Sequence, residues 1–174
     1  MSVLIENINA VLEFCAFHHD KKTIRCGSPS ARVATSHLEV IANQISKSLN
    51  DVLTDQLVAI SYGSGNFPKV PWIAITPKGM RVSNSDSVAI IFSDKGFGVV
   101  AGAMTYTNQN FKTNINVIKR SKEPEKYIIL RGGNKNRKRD YNDKFYNPMD
   151  FIKNEFTDVD LVKHLRESLK FLDE

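Results

Sequence analysis

The spacing of apolar residues changes once along the chain, near residue 55, and this change constrains the fold more than any other feature. Before it, apolar residues recur every three or four positions, which predicts helices over 3–17 and 36–52, the second opened by a capping box of Ser36 and Glu39. After it, β-branched or apolar runs separated by Gly, Asn, Pro and Asp predict strands over 56–62, 70–76, 87–93 and 98–106.

The rest of the chain completes this pattern. The run Lys126–Arg131 predicts a fifth strand, and Thr157 is placed to cap a closing helix that continues to about Leu172. Residues 20–35 and 132–149 are predicted loops, and 111–122 fit either a short helix or a loop. We therefore expect one domain over 1–174 of the α+β class, with a twisted, largely antiparallel sheet of about five strands flanked by N-terminal helices and a C-terminal helix.

Composition excludes several classes of protein. Apolar residues make up 41% and charged residues 25% of the 174, so a disordered chain is not expected. No apolar run approaches the roughly 18 residues of a membrane helix, and the N-terminus lacks the basic start of a signal peptide. Two cysteines in a chain without an export signal favour a reducing, cytoplasmic setting, and the short apolar runs predict no membrane partner.

The net charge of +5 is concentrated in one segment. Residues 112–144 hold 11 Lys/Arg against 4 Asp/Glu, whereas 1–111 hold 9 against 8 and 145–174 hold 4 against 7. Clustered cations favour a polyanionic partner because they bind phosphates with release of counterions. A solvated basic loop would give the same composition, and charge alone does not separate the two interpretations.

Motifs of catalysis are missing from the sequence. There is no phosphate-binding Gly-x-x-x-x-Gly-Lys-[Ser/Thr] loop, no Gly-x-Ser-x-Gly nucleophile elbow and no His-Glu-x-x-His metal motif. The residues that could be imagined as zinc ligands fit no standard spacing, and the first of them lies on an apolar helix face, where a core role is favoured: Cys15, His18 or His19, Cys26 and His37. We expect no catalytic residues, no metal and no cofactor.

The stretch 61–75 carries the strongest sign of a binding site. Gly63 and Gly65 bracket Ser64, and Trp72, the only tryptophan of the chain, follows after two prolines. A glycine-rich loop lets a ligand approach the backbone closely, and an indole on an adjacent strand offers a stacking surface for an unpaired base. A tight hairpin turn with Trp72 in the core explains the same residues and is favoured by residue types alone.

A longer pattern within this stretch resembles a known family. The run Tyr62-Gly63-Ser64-Gly65-Asn66-Phe67, then Pro71-Trp72-Ile73-Ala74, Ser83-Asn84 and the strand Val88–Phe92, is similar to the N-terminal DNA-binding domain of McrB. McrB is the GTPase subunit of restriction endonucleases that attack DNA containing methylcytosine. The likeness is strongest over residues 58–104. It implies a reader that flips a modified base out of double-stranded DNA into a pocket beside the sheet, and it implies an AAA+ GTPase segment and a McrC-type nuclease subunit as partners.

The resemblance also implies roles for individual residues. Trp72 and Ile91 match an aromatic and an aliphatic pocket residue of the family, and Tyr127 matches a pocket tyrosine through Pro124-Glu-Lys-Tyr127. Two positions depart from the family: Ser64 falls where an aromatic fills the gap left by the flipped base, and Ser87 falls where the pocket has a second tyrosine. Tyr62 or Phe67 would then have to supply the wedge, unless none is used. Ser87 would enlarge the pocket and add a hydroxyl, which favours 5-hydroxymethylcytosine over 5-methylcytosine as a hypothesis.

Phosphate contacts are expected to be separate from base reading. The candidate phosphate-binding residues are Lys69, Arg81, Lys135, Arg137, Lys138 and Arg139. The alternative to a reader of modified DNA is an interaction or regulatory domain with a non-specific basic surface, and a small metal-dependent nuclease is the weakest hypothesis because no constellation of ligands is evident.

Overall fold

The computed structural model of the chain describes residues 1–18, 23–63, 65–106, 116–118, 120, 130–133 and 138–172, of which 131–133 and 138–140 are described by their backbone. The described residues form three α-helices, α1 (Val3–His18), α2 (Pro29–Ser48) and α3 (Asp158–Leu169), the last followed by a 3-10 turn, Lys170–Leu172. They also form seven strands: β1 (Gln56–Ile60), β2 (Trp72–Pro77), β3 (Ser87–Phe92), β4 (Gly98–Met104), β5 (Arg131–Gly133), β6 (Lys138–Asp140) and β7 (Met149–Ile152).

Helices α1 and α3 occupy the stretches that the apolar spacing predicts. Cys15 is buried on the inner face of α1, as predicted for a core residue. At the start of α3, the Thr157 hydroxyl accepts a hydrogen bond from the Asp160 N–H at 3.2 Å, and the Asp160 carboxylate accepts one from the Thr157 N–H at 3.0 Å. This capping box satisfies two backbone donors that the helix leaves open, and it confirms the predicted cap at Thr157.

Helix α2 begins earlier than predicted, inside the expected loop 20–35. The Ser28 hydroxyl accepts from the Ala31 N–H, and Pro29 occupies the first helical position, where its missing N–H costs no hydrogen bond. Ser36 lies within the helix and donates to the Arg32 carbonyl oxygen at 2.9 Å, so the capping box predicted for Ser36 and Glu39 is wrong.

The main sheet has five strands in the order β1-β2-β3-β4-β7, and every neighbouring pair is antiparallel. The expected α+β fold, with N-terminal helices and a C-terminal helix around a five-stranded antiparallel sheet, is confirmed. Within the described residues, the fifth strand of this sheet is β7, and the predicted strand 126–131 is not tested over most of its length. Residues 126–129 lie outside the described residues, as does most of the ambiguous segment 111–122, and Arg131 begins β5.

The basic segment 132–149 is not the simple loop that its composition predicts. The backbones of β5 and β6 form a separate antiparallel hairpin, in which Arg131 pairs with Asp140 and Gly133 with Lys138. Met149 then begins β7. Strands of three or four residues are too short to show the alternation of apolar and polar side chains that identifies a strand in a sequence. Backbone hydrogen bonds between the strands hold them together, and these bonds leave no sequence pattern.

Both faces of the sheet are covered by apolar layers. On one face, β2, β3 and β4 contribute Ile73, Ile90 and Val99 to a core shared with the three helices. The opposite face, here termed the second face, contributes alternate residues of the same strands to a smaller cluster that includes Val70, Trp72, Ala74, Ala89, Ile91, Val100, Met104, Leu130, Tyr141 and Phe145. The segment leading into and out of the β5–β6 hairpin therefore covers the second face.

Within the described residues, no helix has the length and apolar composition needed to cross a bilayer.

Candidate nucleic-acid interface

The glycine loop, residues 62–67, is held against the segment that precedes α2. The Cys26 N–H donates to the Gly65 carbonyl oxygen at 3.0 Å, and the Phe67 N–H donates to the Ile24 carbonyl oxygen at 2.7 Å. Arg25 and Asn66 form an isolated antiparallel bridge between these two bonds. The loop is thus fixed by backbone pairing on both sides of Arg25 and does not project freely from the sheet.

Gly63 is required by the geometry of this loop. Its φ is +77°, and a Cβ added there would lie 2.1 Å from the Asn66 carbonyl oxygen, which is far inside van der Waals contact. Gly65 also has a positive φ, +80°, but faces open space. The two glycines therefore provide the left-handed conformations of the loop, and the residue between them, Ser64, lies outside the described residues.

The two aromatics considered as wedges have opposite environments. Tyr62 is 61% exposed, whereas Phe67 is 6% exposed and packs edge-on against Phe14 with ring centroids 5.2 Å apart. Phe67 belongs to the helix-side core, so it could leave its site only at the cost of a core cavity. Tyr62 is the one of the two that is free to contact a ligand.

Trp72 lies at the start of β2, with its backbone N–H donating to the Ser61 hydroxyl at 2.9 Å. It pairs across strands with Ile91 and is half-buried at the border of the second-face cluster. The indole is therefore partly available, in contrast to a fully enclosed core tryptophan.

The remaining predicted pocket residues are enclosed or lie elsewhere. Ile91 is 1% exposed and Ser87 is 0% exposed. Four residues separate them along β3, which corresponds to about 13 Å, so Ser87 does not adjoin Trp72. Tyr127 lies outside the described residues. The structure brings Trp72 and Ile91 together, and the apolar layer on the second face covers Ile91.

The Ser87 hydroxyl has an unusual environment. It is fully buried and has no hydrogen-bond partner within the described part of the chain. An unpaired buried hydroxyl costs about 1–3 kcal/mol relative to a paired one. A polar group of a ligand that reached Ser87 would recover this cost.

The predicted phosphate-binding residues are spread over the molecule. Lys69 is exposed next to the glycine loop, whereas Arg81 is exposed in the turn after β2, beyond a strand about 17 Å long. Lys138 and Arg139 lie on β6, and Lys135 and Arg137 lie outside the described residues. Arg81 is therefore remote from Lys69 and Trp72.

Two cations of the charged stretch 112–144 serve the fold. Arg120 is 7% exposed and Lys144 is 5% exposed. The Arg120 guanidinium donates to the Asp150 carboxylate at 2.6 Å and to the Asn142 side-chain oxygen at 2.8 Å, and its backbone N–H donates to the Asp143 carboxylate at 2.8 Å. The charge that the segment can offer to a polyanion is accordingly smaller than its sequence suggests.

An open cleft of about 520 Å³ lies between the glycine loop and α2. One wall is formed by the loop with Tyr62, Gly63 and Gly65, and the other by Cys26 and the helix residues Arg32, Thr35, Ser36 and Glu39. The four helix residues follow the spacing i, i+3, i+4 and i+7, which places them on one stripe of α2. Arg32 and Thr35 fall in the predicted loop 20–35, and Ser36 and Glu39 were assigned to a helix cap, so the shared stripe was not recognised from the sequence.

Among the residues considered as zinc ligands, those that the structure describes do not form a metal site. Burial raises the pKa of the Cys15 thiol to about 12, with Asp94 adding to the rise, so the thiol stays protonated. His37 Nδ1 lies 2.8 Å from the Asn7 side-chain oxygen, and His19 lies outside the described residues. No group of three or more His, Cys, Asp or Glu side chains within the described ranges could hold a metal ion.

Comparison of the chain with protein-family models, with curated proteins and with solved structures gave no match.

Proposed function

We propose that the chain is a cytoplasmic, non-enzymatic DNA-recognition domain that binds double-stranded DNA carrying 5-methylcytosine or 5-hydroxymethylcytosine. It would flip the modified base out of the duplex and direct a McrB/McrC-type restriction complex, with its AAA+ GTPase and nuclease, to that DNA. The motif Tyr62–Phe67 and Pro71–Ala74 is the basis for naming this family.

One observation carries the proposal: the residues on either side of the basic hairpin, which form its root, belong to the same apolar cluster as Trp72. Leu130 and Tyr141 flank the β5–β6 hairpin, and the Tyr141 N–H donates to the Leu130 carbonyl oxygen at 3.0 Å. Lys138 and Arg139 lie three and two residues before Tyr141 along the chain. A cation-rich hairpin whose flanking residues share an apolar cluster with a half-exposed indole supports one surface that binds phosphates and stacks a base.

The packing of the second face constrains how a base would enter. Trp72 is accessible as it stands, but Ile91 and Ser87 are buried, and Ile91 belongs to the same apolar cluster as Leu130, Tyr141 and Phe145. A flipped base would stack on Trp72 first and would reach Ile91 only if the covering segment moved. The unpaired hydroxyl of Ser87 supports the preference for a hydroxymethyl group, provided that the same movement opens a path to it.

Duplex titrations test this proposal. Duplexes identical in sequence and carrying cytosine, 5-methylcytosine or 5-hydroxymethylcytosine should bind with rising affinity, and Trp72→Ala should remove the differences while the variant stays folded by circular dichroism. Equal affinity for all three duplexes with the unaltered protein would refute base reading and leave a non-specific basic surface. Strict preference for 5-methylcytosine would refute the assigned role of Ser87.

The charge contribution is tested by neutralising Arg137, Lys138 and Arg139 together. If each contacts one phosphate, the slope of log affinity against log salt should fall by about 2.7, equally for modified and plain duplexes. The matched control neutralises three exposed lysines on the helices, Lys47, Lys163 and Lys170, and changes the net charge by the same amount. Equal effects of the two triple variants would show that overall charge, and not the hairpin, binds DNA.

A further inference from the structure

The cleft between the glycine loop and α2 has the chemistry of a site for one nucleotide unit. It lies on the helix side of the glycine loop, whereas the DNA surface proposed above lies on the second face. We propose that this cleft binds a nucleoside 5′-phosphate whose base carries an exocyclic amino group, with the phosphate at Arg32 and the amino group at Glu39. Its binding of a free mononucleotide does not depend on the proposed DNA-reading function.

Within the described residues, the charged groups of the cleft form no ion pairs. Arg32 and Glu39 are both exposed, and the described part of the chain provides neither of them with an ion-pair partner. They are seven residues apart on α2, which separates them by about 10 Å along the helix axis. That separation is comparable to the distance from the 5′-phosphate of a mononucleotide to the pairing edge of its base.

The chemistry of these two residues sets the orientation of the ligand. A guanidinium donates two parallel hydrogen bonds to phosphate oxygens, whereas a carboxylate only accepts and so requires a donor. The exocyclic amino groups of cytosine and adenine are such donors, and uracil and thymine present a carbonyl oxygen at the same position. Glu39 therefore favours a base with an exocyclic amino group, namely cytosine, adenine or guanine, over uracil or thymine.

The opposite wall supplies a stacking surface. The Tyr62 side chain is 61% exposed and lines the cleft, as do Gly63 and Gly65, which themselves have no side chains. The Cys26 thiol donates to the Tyr62 carbonyl oxygen at 3.1 Å, which ties the aromatic wall to the start of α2. The cleft volume of about 520 Å³ lies within the range of sites for small ligands.

Calorimetric titration of the whole chain with cytidine, adenosine and uridine 5′-monophosphates tests the site. Cytidine and adenosine monophosphates should bind about tenfold more tightly than uridine monophosphate. Arg32→Ala should weaken binding of all three by about tenfold or more, whereas Lys47→Ala, an exposed cation on the same helix, should leave it unchanged. Glu39→Gln should abolish the preference, because an amide donates to the uracil carbonyl as well as accepting.

Two further arms locate the ligand and identify its source. A bound nucleotide should slow alkylation of Cys26, the partly exposed cysteine, while Cys15 remains buried. A single-stranded oligocytidine that competes with cytidine monophosphate would identify a DNA strand as the source, and failure to compete would identify the free nucleotide. Saturable binding unaffected by Arg32→Ala, or no binding of either ligand, would overturn the inference. Neither result alters the duplex titrations, which probe Trp72 and the basic hairpin.

Discussion

The ion pair between Arg120 and Asp150 is predicted to hold the cover of the second face in place. The two side chains are 5% and 20% exposed, and the guanidinium lies 2.6 Å from the carboxylate. Asn142 receives a hydrogen bond from the same guanidinium, and its oxygen also accepts from the Leu130 N–H at 3.3 Å. Arg120 therefore connects β7 to the residues that cover Ile91.

Arg120→Met keeps an apolar stem of similar reach and removes the charge. Breaking a buried ion pair by removing one partner costs about 3–5 kcal/mol, and we expect about 3 because Asp150 keeps some contact with water. At about 2–4 °C per kcal/mol for a domain of this size, the Tm should fall by about 6–12 °C. Adding Asp150→Leu also removes the partly buried carboxylate that Arg120 contacts and should restore more than half of the loss.

The assay is urea unfolding followed by circular dichroism, for both single variants, the double variant and a matched cycle on Arg166 and Asp51. That control pair is bidentate, with contacts of 2.8 and 2.9 Å, but its side chains are 38% and 60% exposed. Solvent screening should leave it a much smaller coupling. Strictly additive losses in the Arg120–Asp150 cycle, or a coupling no larger than that of the control, would refute the argument.

Three other changes follow from the geometry. Gly63→Ala should destabilise the chain and weaken DNA binding, because a Cβ there meets the Asn66 carbonyl oxygen. Gly65→Ala places its Cβ in open space and should cost less stability, and unfolding curves of the two variants compare them. Thr157→Ala should cost about 1 kcal/mol in urea unfolding through loss of the capping box, and Thr157→Ser should restore it; no difference between the two would exclude a capping role. Hydrogen bonds from Thr157 hold the pKa of Asp160 below its ordinary value. The stability that the Asp160 carboxylate contributes is therefore present above the ordinary pKa and is lost as the pH falls through the lowered pKa. Unfolding measured between pH 7 and 2 should show a weaker acid dependence for Asp160→Asn than for the unaltered chain.

The fold was largely predictable because its dominant signals are local. Apolar residues at helical spacing identified α1 and α3, and apolar runs between turn residues identified β1 to β4. The start of α2 was missed because residues 20–35 have the polar composition of a loop. The helix begins within them because the Ser28 hydroxyl caps it and Pro29 fits its first position. The strand β7 was missed because its four residues carry Asp150, whose charge is neutralised by a residue thirty positions away.

The candidate site was less predictable, because its residues come together only through long-range packing. The sequence places Trp72 five residues after Phe67, yet Phe67 packs in the helix-side core and Trp72 contributes to the cluster on the other face. The pairing of Trp72 with Ile91 depends on strand register, and the covering of Ile91 depends on a segment forty residues further along. Composition likewise could not show that Arg120 and Lys144 are buried.

The glycine loop joins two surfaces that the sheet keeps apart. The Cys26 thiol and the backbone bonds of Gly65 and Phe67 tie the loop to the segment that precedes α2, while the next strand begins with Trp72 on the second face. The loop backbone therefore connects ligands on the two surfaces. When the loop is rigid, we expect Arg32→Ala to change neither the duplex affinity nor the effect of Trp72→Ala on it. A departure from additivity above about 0.5 kcal/mol, measured in a double-variant cycle, would show that the loop transmits occupancy from one face of the sheet to the other.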